Sequence, residues 1–212
     1  MIVMTKLTEN SCTGFAALLA SKASVPGGGG AAALAGALGA ALCSMVGNFT
    51  VGKKKYAAVE EDVKAMLVKL TELRTRLLEL VDLDAEAFEP LSRAYAIPKD
   101  DPRRAEVLEK ASLDACSAPI ETAKCCAGVV ELLEEMFQKG SVMLISDVGC
   151  GALLCRAAME AAAMNVFINT KTLRNRDTAA GIEREVDALL NEYLPRAERI
   201  AEDVTARIRG HK

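Results

Sequence analysis

The sequence predicts an all-α protein: a single-domain helical bundle over residues 1–212, with a glycine-rich loop ahead of a central alanine-rich helix. Three observations carry this. Hydrophobic residues make up 51% of the chain but aromatics only 4%, and there is no Trp. A core must therefore be built from Ala, Leu, Val and Met, which suits close helix packing better than a β-sandwich. Apolar residues recur at helical spacing, most clearly at Val63, Leu67, Leu70, Leu77, Leu80, Phe88 and Leu91. No strand-period run longer than a few residues interrupts the pattern, and no internal repeat is evident. A chain of 212 residues suits one sizeable core.

Read in order, residues 8–22 form a short amphipathic helix with Phe15, Leu18 and Leu19 inside. Ser24, Val25 and Pro26 break it, and Gly27 to Gly30 form a loop, because four consecutive glycines weaken any helix interior. Residues 31–48 are apolar on nearly all sides, which predicts an enclosed central helix. A basic patch at 52–56 precedes a long helix over 60–94. Residues 97–102, with two Pro and two Asp, form a turn. Residues 103–138 are helical, kinked or broken at Pro119. Gly140 fits a C-cap, and Ser146 or Asp147 an N-cap for a helix over 148–171. Residues 178–209 form the last helix, bent or broken at Pro195.

Net charge is −3, and no basic stripe with interleaved aromatics is present, so no nucleic-acid partner is expected. The strongest membrane candidate, 31–46, is short and rich in weakly hydrophobic Ala and Gly, so no span is expected. The opening residues lack a charged segment followed by an apolar one, giving no signal peptide and a cytoplasmic expectation. Seven cysteines (Cys12, Cys43, Cys116, Cys125, Cys126, Cys150 and Cys155) occur with no CxxC spacing. Buried reduced thiols account for them better than a metal site. The sole histidine is His211. This argues against a histidine base, a Ser-His-Asp triad or a His-ligated zinc, and leaves proton transfer to Asp, Glu, Lys, Tyr, Cys or water.

Several residues stand out. Gly27, Gly28 and Gly29 run directly into a helix, where free N–H groups and a positive helix end suit an anion or carbonyl group, though a tight connection explains them equally. No Walker or Rossmann pattern surrounds them. Asp84 occupies an inner-face position, after Leu77 and Leu80, where a leucine is expected. A carboxylate there must be paired, hydrogen-bonded or protonated, and is either a structural bridge or a functional group. Asp82 and Glu86 point elsewhere and are expected in solvent. Asn165 and Asn169, at i and i+4, face one neighbour and either bond a helix or read a polar heterocycle edge. Asp147 is a cap or presents its carboxylate at a helix mouth. Lys53, Lys54 and Lys55, beside Tyr56, are a solvated surface or a receiver of ligand carboxylates.

The segment Val25 to Leu42 resembles the glycine-rich signature of the formiminotetrahydrofolate cyclodeaminase family, which includes methenyltetrahydrofolate cyclohydrolases. The stretches at 45–56, 82–88, 146–154 and 165–171 continue the likeness in the right order over most of the chain. Gly30 stands where the family commonly has Ser, and Phe167 where it commonly has Arg. The resemblance implies an all-helical homodimer acting on a folate one-carbon unit, with no metal and no cofactor beyond the tetrahydrofolate substrate. Under it, Asp84 and Asp147 would move protons, and Lys53 to Lys55 with Tyr56 would hold the glutamate tail. Gly27 to Gly29 would meet the pterin or linker, and Asn165 and Asn169 would orient the heterocycle. The sequence carries no formiminotransferase domain, which favours hydrolysis of 5,10-methenyltetrahydrofolate to 10-formyltetrahydrofolate. The alternatives are cyclodeamination of 5-formiminotetrahydrofolate and a non-enzymatic helical assembly module.

Overall fold

The computed structural model describes residues 6–210; His211 lies outside them. Seven α-helices and three short 3-10 turns make up the described residues, with no strand among them. The helices are α1 (Cys12–Leu19), α2 (Gly28–Thr50), α3 (Glu60–Tyr95), α4 (Arg104–Asp114), α5 (Ser117–Lys139), α6 (Ile145–Thr170) and α7 (Arg176–Arg209).

Small residues set how α2 meets its neighbours. A methyl group at Gly36 would lie 2.6 Å from Cys126 Sγ on α5 and 3.2 Å from Leu77 Cδ2 on α3. At Gly39 it would lie 2.6 Å from Cys155 Sγ and 3.0 Å from the Gly151 carbonyl, both on α6. The two thiols thus fill the space that the glycines vacate, and the Cys126 thiol is hydrogen-bonded to Cys155. The order of these approaches gives the topology. Gly29, Gly36 and Gly47 of α2 meet Asp84, Leu77 and Leu67 of α3, while Gly28 and Gly39 meet Asn165 and Cys155 of α6. Both neighbours therefore run antiparallel to α2. Leu70, Leu77, Leu80, Val129, Val130, Leu133, Met136 and Met159 complete one large core.

Several expectations change. Gly28, Gly29 and Gly30 are helical, forming the first turn of α2, with Gly27 as its cap residue. Glycines are tolerated there because first-turn N–H groups need an outside acceptor in any case, and close approach matters more than propensity. Helix α2 is not enclosed: Leu38 and Phe49 are more than half exposed, as are Leu153, Met164 and Ile168 on α6. Together α2 and α6 present one apolar face. Gly28–Thr50 and Val142–Thr170 are long and apolar enough to cross a membrane, and each turns its other side into the core. In α1 only Phe15 is buried, and Leu19 is exposed. Neither Ser146 nor Asp147 caps α6, which starts at Ile145 without a side-chain cap and holds both in its first turn. Asp82 is not free in solvent: its carboxylate accepts from the Leu7 N–H at 2.6 Å and the Thr8 hydroxyl at 3.3 Å. Helix α7 continues through Pro195. Pro119 falls in the first turn of α5, where its missing N–H costs nothing, and the break before it lies at Ala115–Cys116. Five of the seven cysteines are buried, all seven are free thiols, and no metal-holding group of side chains occurs among the described residues.

Candidate active site

Helix α2 begins without a side chain to cap it, because Gly27 has none. The cap comes from α3 instead. Asp84 Oδ2 accepts the Gly30 N–H at 2.9 Å, and a methyl group at Gly29 would fall 2.1 Å from Asp84 Oδ1. Only glycine at 29 lets the carboxylate come so close. The N–H groups of Gly28 and Gly29 belong to the same first turn and have no acceptor within the helix. The positive end of α2 favours an anion here. Burial outweighs this and pushes the Asp84 carboxyl above the usual carboxylate range, with the Gly30 N–H acting against the rise.

The carboxylate opens onto a small cleft of about 140 Å³, lined by Ser24, Val25, Gly27, Gly28, Gly29, Asp84, Phe88, Ala115, Asn165, Ile168 and Asn169. Asn165 Nδ2 donates to its own helix at the Ala161 carbonyl (2.8 Å), and Asn169 Nδ2 donates to the Ala115 carbonyl on the α4–α5 corner (3.1 Å). Each amide has one N–H engaged in this way, which leaves its oxygen free as an acceptor beside Asp84 together with its second N–H. The side chains thus supply the oxygens of Asp84, Asn165 and Asn169 with two amide N–H groups among them, and the start of α2 supplies backbone N–H groups. A donor-rich or cationic heterocycle suits the first, and a carbonyl or anionic group the second. Broader furrows of about 490 Å³ between α6 and α7, and about 560 Å³ along α3, α4 and α5, are open surface grooves edged by charged residues.

The structure divides the residues expected to act together. Gly27, Gly28, Gly29, Asp84, Asn165 and Asn169 meet in the cleft. Lys53, Lys54, Lys55 and Tyr56 follow the other end of α2, about 34 Å away along a helix rising 1.5 Å per residue. Gly52, in the left-handed region at φ 76°, turns the chain there. Asp147 lies in the first turn of α6, about 27 Å along that helix from Asn165. These two outlying groups share one end of the molecule. Tyr56 Oη accepts from Val142 N at 3.1 Å, which also draws the phenol below its ordinary range, and Thr50 Oγ1 accepts from Ser141 N at 2.8 Å. Lys55 Nζ stands 5.5 Å from the Tyr56 ring centre. Within one chain, then, Asp147 and the lysines do not reach Asp84.

Two departures from the family pattern have different addresses. Gly30 touches Asp84 directly, while Phe167 packs with Val166 and Val186 in a small cluster away from the cleft. Phe88, counted by periodicity as core, is instead a partly exposed wall of the cleft one turn beyond Asp84. Ile168, Ser24, Val25 and Ala115 also line it. Their only sequence signal is adjacency to Asn169, the glycines or a helix break.

Residues 11–188 match the formiminotransferase-cyclodeaminase family. The chain is 41% identical over 194 residues to a methenyltetrahydrofolate cyclohydrolase of Methylorubrum extorquens, covering 90% of this chain and 93% of that protein. It is 30% identical to the formimidoyltransferase-cyclodeaminase of Sus scrofa over 88% of this chain, and spans 35% of that longer protein. The crystal structure of formiminotetrahydrofolate cyclodeaminase from Thermotoga maritima superposes with a TM-score of 0.81 at 28% identity, covering 93% of this chain and 98% of that one. Fold and site define an all-helical protein with a carboxylate set against a glycine-rich helix start. The chain belongs to the formiminotransferase-cyclodeaminase family.

Proposed function

We propose that this protein is a methenyltetrahydrofolate cyclohydrolase, hydrolysing 5,10-methenyltetrahydrofolate to 10-formyltetrahydrofolate. The observation that carries the chemistry is the half-buried Asp84 carboxylate, raised in pKa and held against the Gly30 N–H inside a cleft of acceptors. The 41% identity to a cyclohydrolase across nearly its whole length favours hydrolysis over deamination. Asp84 takes a proton from water as the oxygen attacks the methenyl carbon. The positive charge on the ring is quenched and a neutral carbinolamine forms. Collapse breaks the bond from that carbon to N5. Asp84 returns its proton to N5, and the hydroxyl proton leaves to solvent, so one proton is released per turnover. The carboxylate also stabilises the cationic ring before attack. The reading assigns this chemistry to the folate and the side chains alone, with no metal and no redox cofactor.

The reading includes a homodimer. A second copy laid two-fold across the exposed α2–α6 face, with the axis near the middle of both helices, exchanges their ends. The partner subunit's Lys53, Lys54, Lys55, Tyr56 and Asp147 then stand at the cleft mouth, and the lysines meet the glutamate tail. The face carries Leu38, Phe49, Leu153, Met164 and Ile168, apolar side chains that suit burial against its own copy. Free buried thiols suit a cytoplasmic setting, and neither nucleic acid nor membrane is a proposed partner.

The test is the loss of methenyltetrahydrofolate absorbance on adding purified protein, against spontaneous hydrolysis. Acceleration supports the cyclohydrolase. No acceleration, with ammonia released from 5-formiminotetrahydrofolate, would replace it by the cyclodeaminase that the pig and Thermotoga relatives name. Inactivity on both substrates would leave an assembly module.

A further inference from the structure

The cleft has a polar floor and apolar walls. Asp84 and Asn165 hold the floor, while Phe88 and Ile168 stand on two different helices at its rim. Phe88 is 36% exposed and Ile168 59% exposed. Ile168 belongs to the face that the second copy would cover, but Phe88 does not, and a large apolar ring left open beside a half-buried carboxylate calls for an occupant that is flat, apolar on its faces and positive at one edge. No structural role accounts for Phe88: it belongs to none of the buried clusters, although it sits among α3 residues whose neighbours Leu80 and Leu91 are fully buried.

We propose that Phe88 is a specificity residue that selects the charge state of the bound folate. Its ring takes the methenyl form, whose ring system is cationic, by cation–π attraction in preference to the formyl form, whose ring system is uncharged. Resting on the folate reading above, this gives Phe88 a task that leucine, equally apolar, does not perform. The face of an aromatic ring carries negative potential, and contacts of this kind discriminate by about two- to thirtyfold, from exposed to desolvated settings. Asp84 and Phe88, one helical turn apart on α3, then act on the same charge from two sides. As water adds and the ring loses its charge, both attractions weaken, which favours release of the product.

The experiment compares wild type, Phe88→Leu and Phe88→Tyr, each checked for an unchanged helical circular dichroism spectrum. It measures KM for 5,10-methenyltetrahydrofolate and the inhibition constant of 10-formyltetrahydrofolate. Leucine is expected to raise the ratio of KM to inhibition constant about two- to thirtyfold, and tyrosine to hold it near wild type. Equal weakening of both ligands by leucine, or no change in either, overturns the proposal. If wild type neither turns over nor binds a folate, the functional reading fails first, which is a different result from an active enzyme with an unaltered ratio.

Discussion

The Asp84 carboxylate lies 2.9 Å from the Gly30 N–H although 54 residues separate the two in the chain. A helix that brings no cap of its own has taken one from a neighbouring helix, and the borrowed group is the one carboxylate of the cleft. Structural and chemical duties therefore fall on the same two oxygens, and the variants below separate them.

Asp84→Asn keeps an amide oxygen for the Gly30 N–H but cannot take a proton. Turnover is expected to fall by about 10²- to 10⁴-fold with the fold intact. Stability should move the other way. Because the folded Asp84 pKa is raised, the carboxyl favours the folded state most when protonated, and that contribution is lost as pH rises through the folded value. At neutral pH the Asn variant should therefore melt above wild type, with the gap closing in acid. In wild type, kcat/KM should fall on the acid side at a pH above the ordinary carboxylate range. Equal melting temperatures at neutral pH and in acid would show that Asp84 is not desolvated as described.

Gly29 and Gly30 should answer differently to one methyl group. Gly29→Ala collides with Asp84 Oδ1, so it should cost about 1–3 kcal/mol in denaturant unfolding and most of the activity. At Gly30 the new carbon would sit 3.4 Å from the Val81 carbonyl, an ordinary contact. Gly30→Ser should fold normally and set its hydroxyl near that carbonyl. Equal damage at both positions would contradict this geometry.

In the core, Gly36→Ala drives a methyl group into Cys126 Sγ and should destabilise by about 1–3 kcal/mol. Cys126→Ala removes the sulfur and leaves a void. The double variant should be less destabilised than the sum of the two, because the new methyl group occupies the space the sulfur leaves. Strict additivity in urea titrations would refute the sulfur-for-methyl exchange.

The proposed dimer has a quantitative consequence. Asp84→Asn and a Lys53→Glu/Lys54→Glu/Lys55→Glu chain are each expected to lose activity on a polyglutamylated substrate. Unfolded and refolded together in equal amounts, they should recover about a quarter of wild-type activity, since half the dimers are mixed and each mixed dimer has one intact site. No recovery would refute a site completed by the partner's lysines.

Much of the fold was legible in the residues. The boundaries of α3 follow from apolar spacing, and Asp84 declared itself as a charge in a leucine position, whereas α6 begins at Ile145, ahead of the cap expected at Ser146 or Asp147. The glycine run was read as a loop because propensity argues against helix, yet three of its members are helical. Contact with Asp84 outweighed propensity, and that contact lies 54 residues away, outside any local window. Phe88 was hidden for the opposite reason: its spacing matched the core, and only the turn at the start of α2 opens a cleft beside it. Helix α2 looked enclosed because an apolar surface left exposed reads the same in sequence as one turned to the interior. The gap between Lys53 and Asp84 is a matter of helix length, which motif order does not record.

Asp82 and Asp84 stand two residues apart on α3, about 200° around a helix of 3.6 residues per turn. One holds the Leu7 N–H and the other the Gly30 N–H. Helix α3 is thus moored on opposite flanks, like an axle clamped on both sides. To swing the Asp84 carboxylate out of line, the helix would have to roll, and any roll pulls Asp82 off its own anchorage. The orientation of the proposed base is therefore set by a residue on the far side of its helix, and trimming the chain before Thr8 would slacken the clamp without touching the cleft.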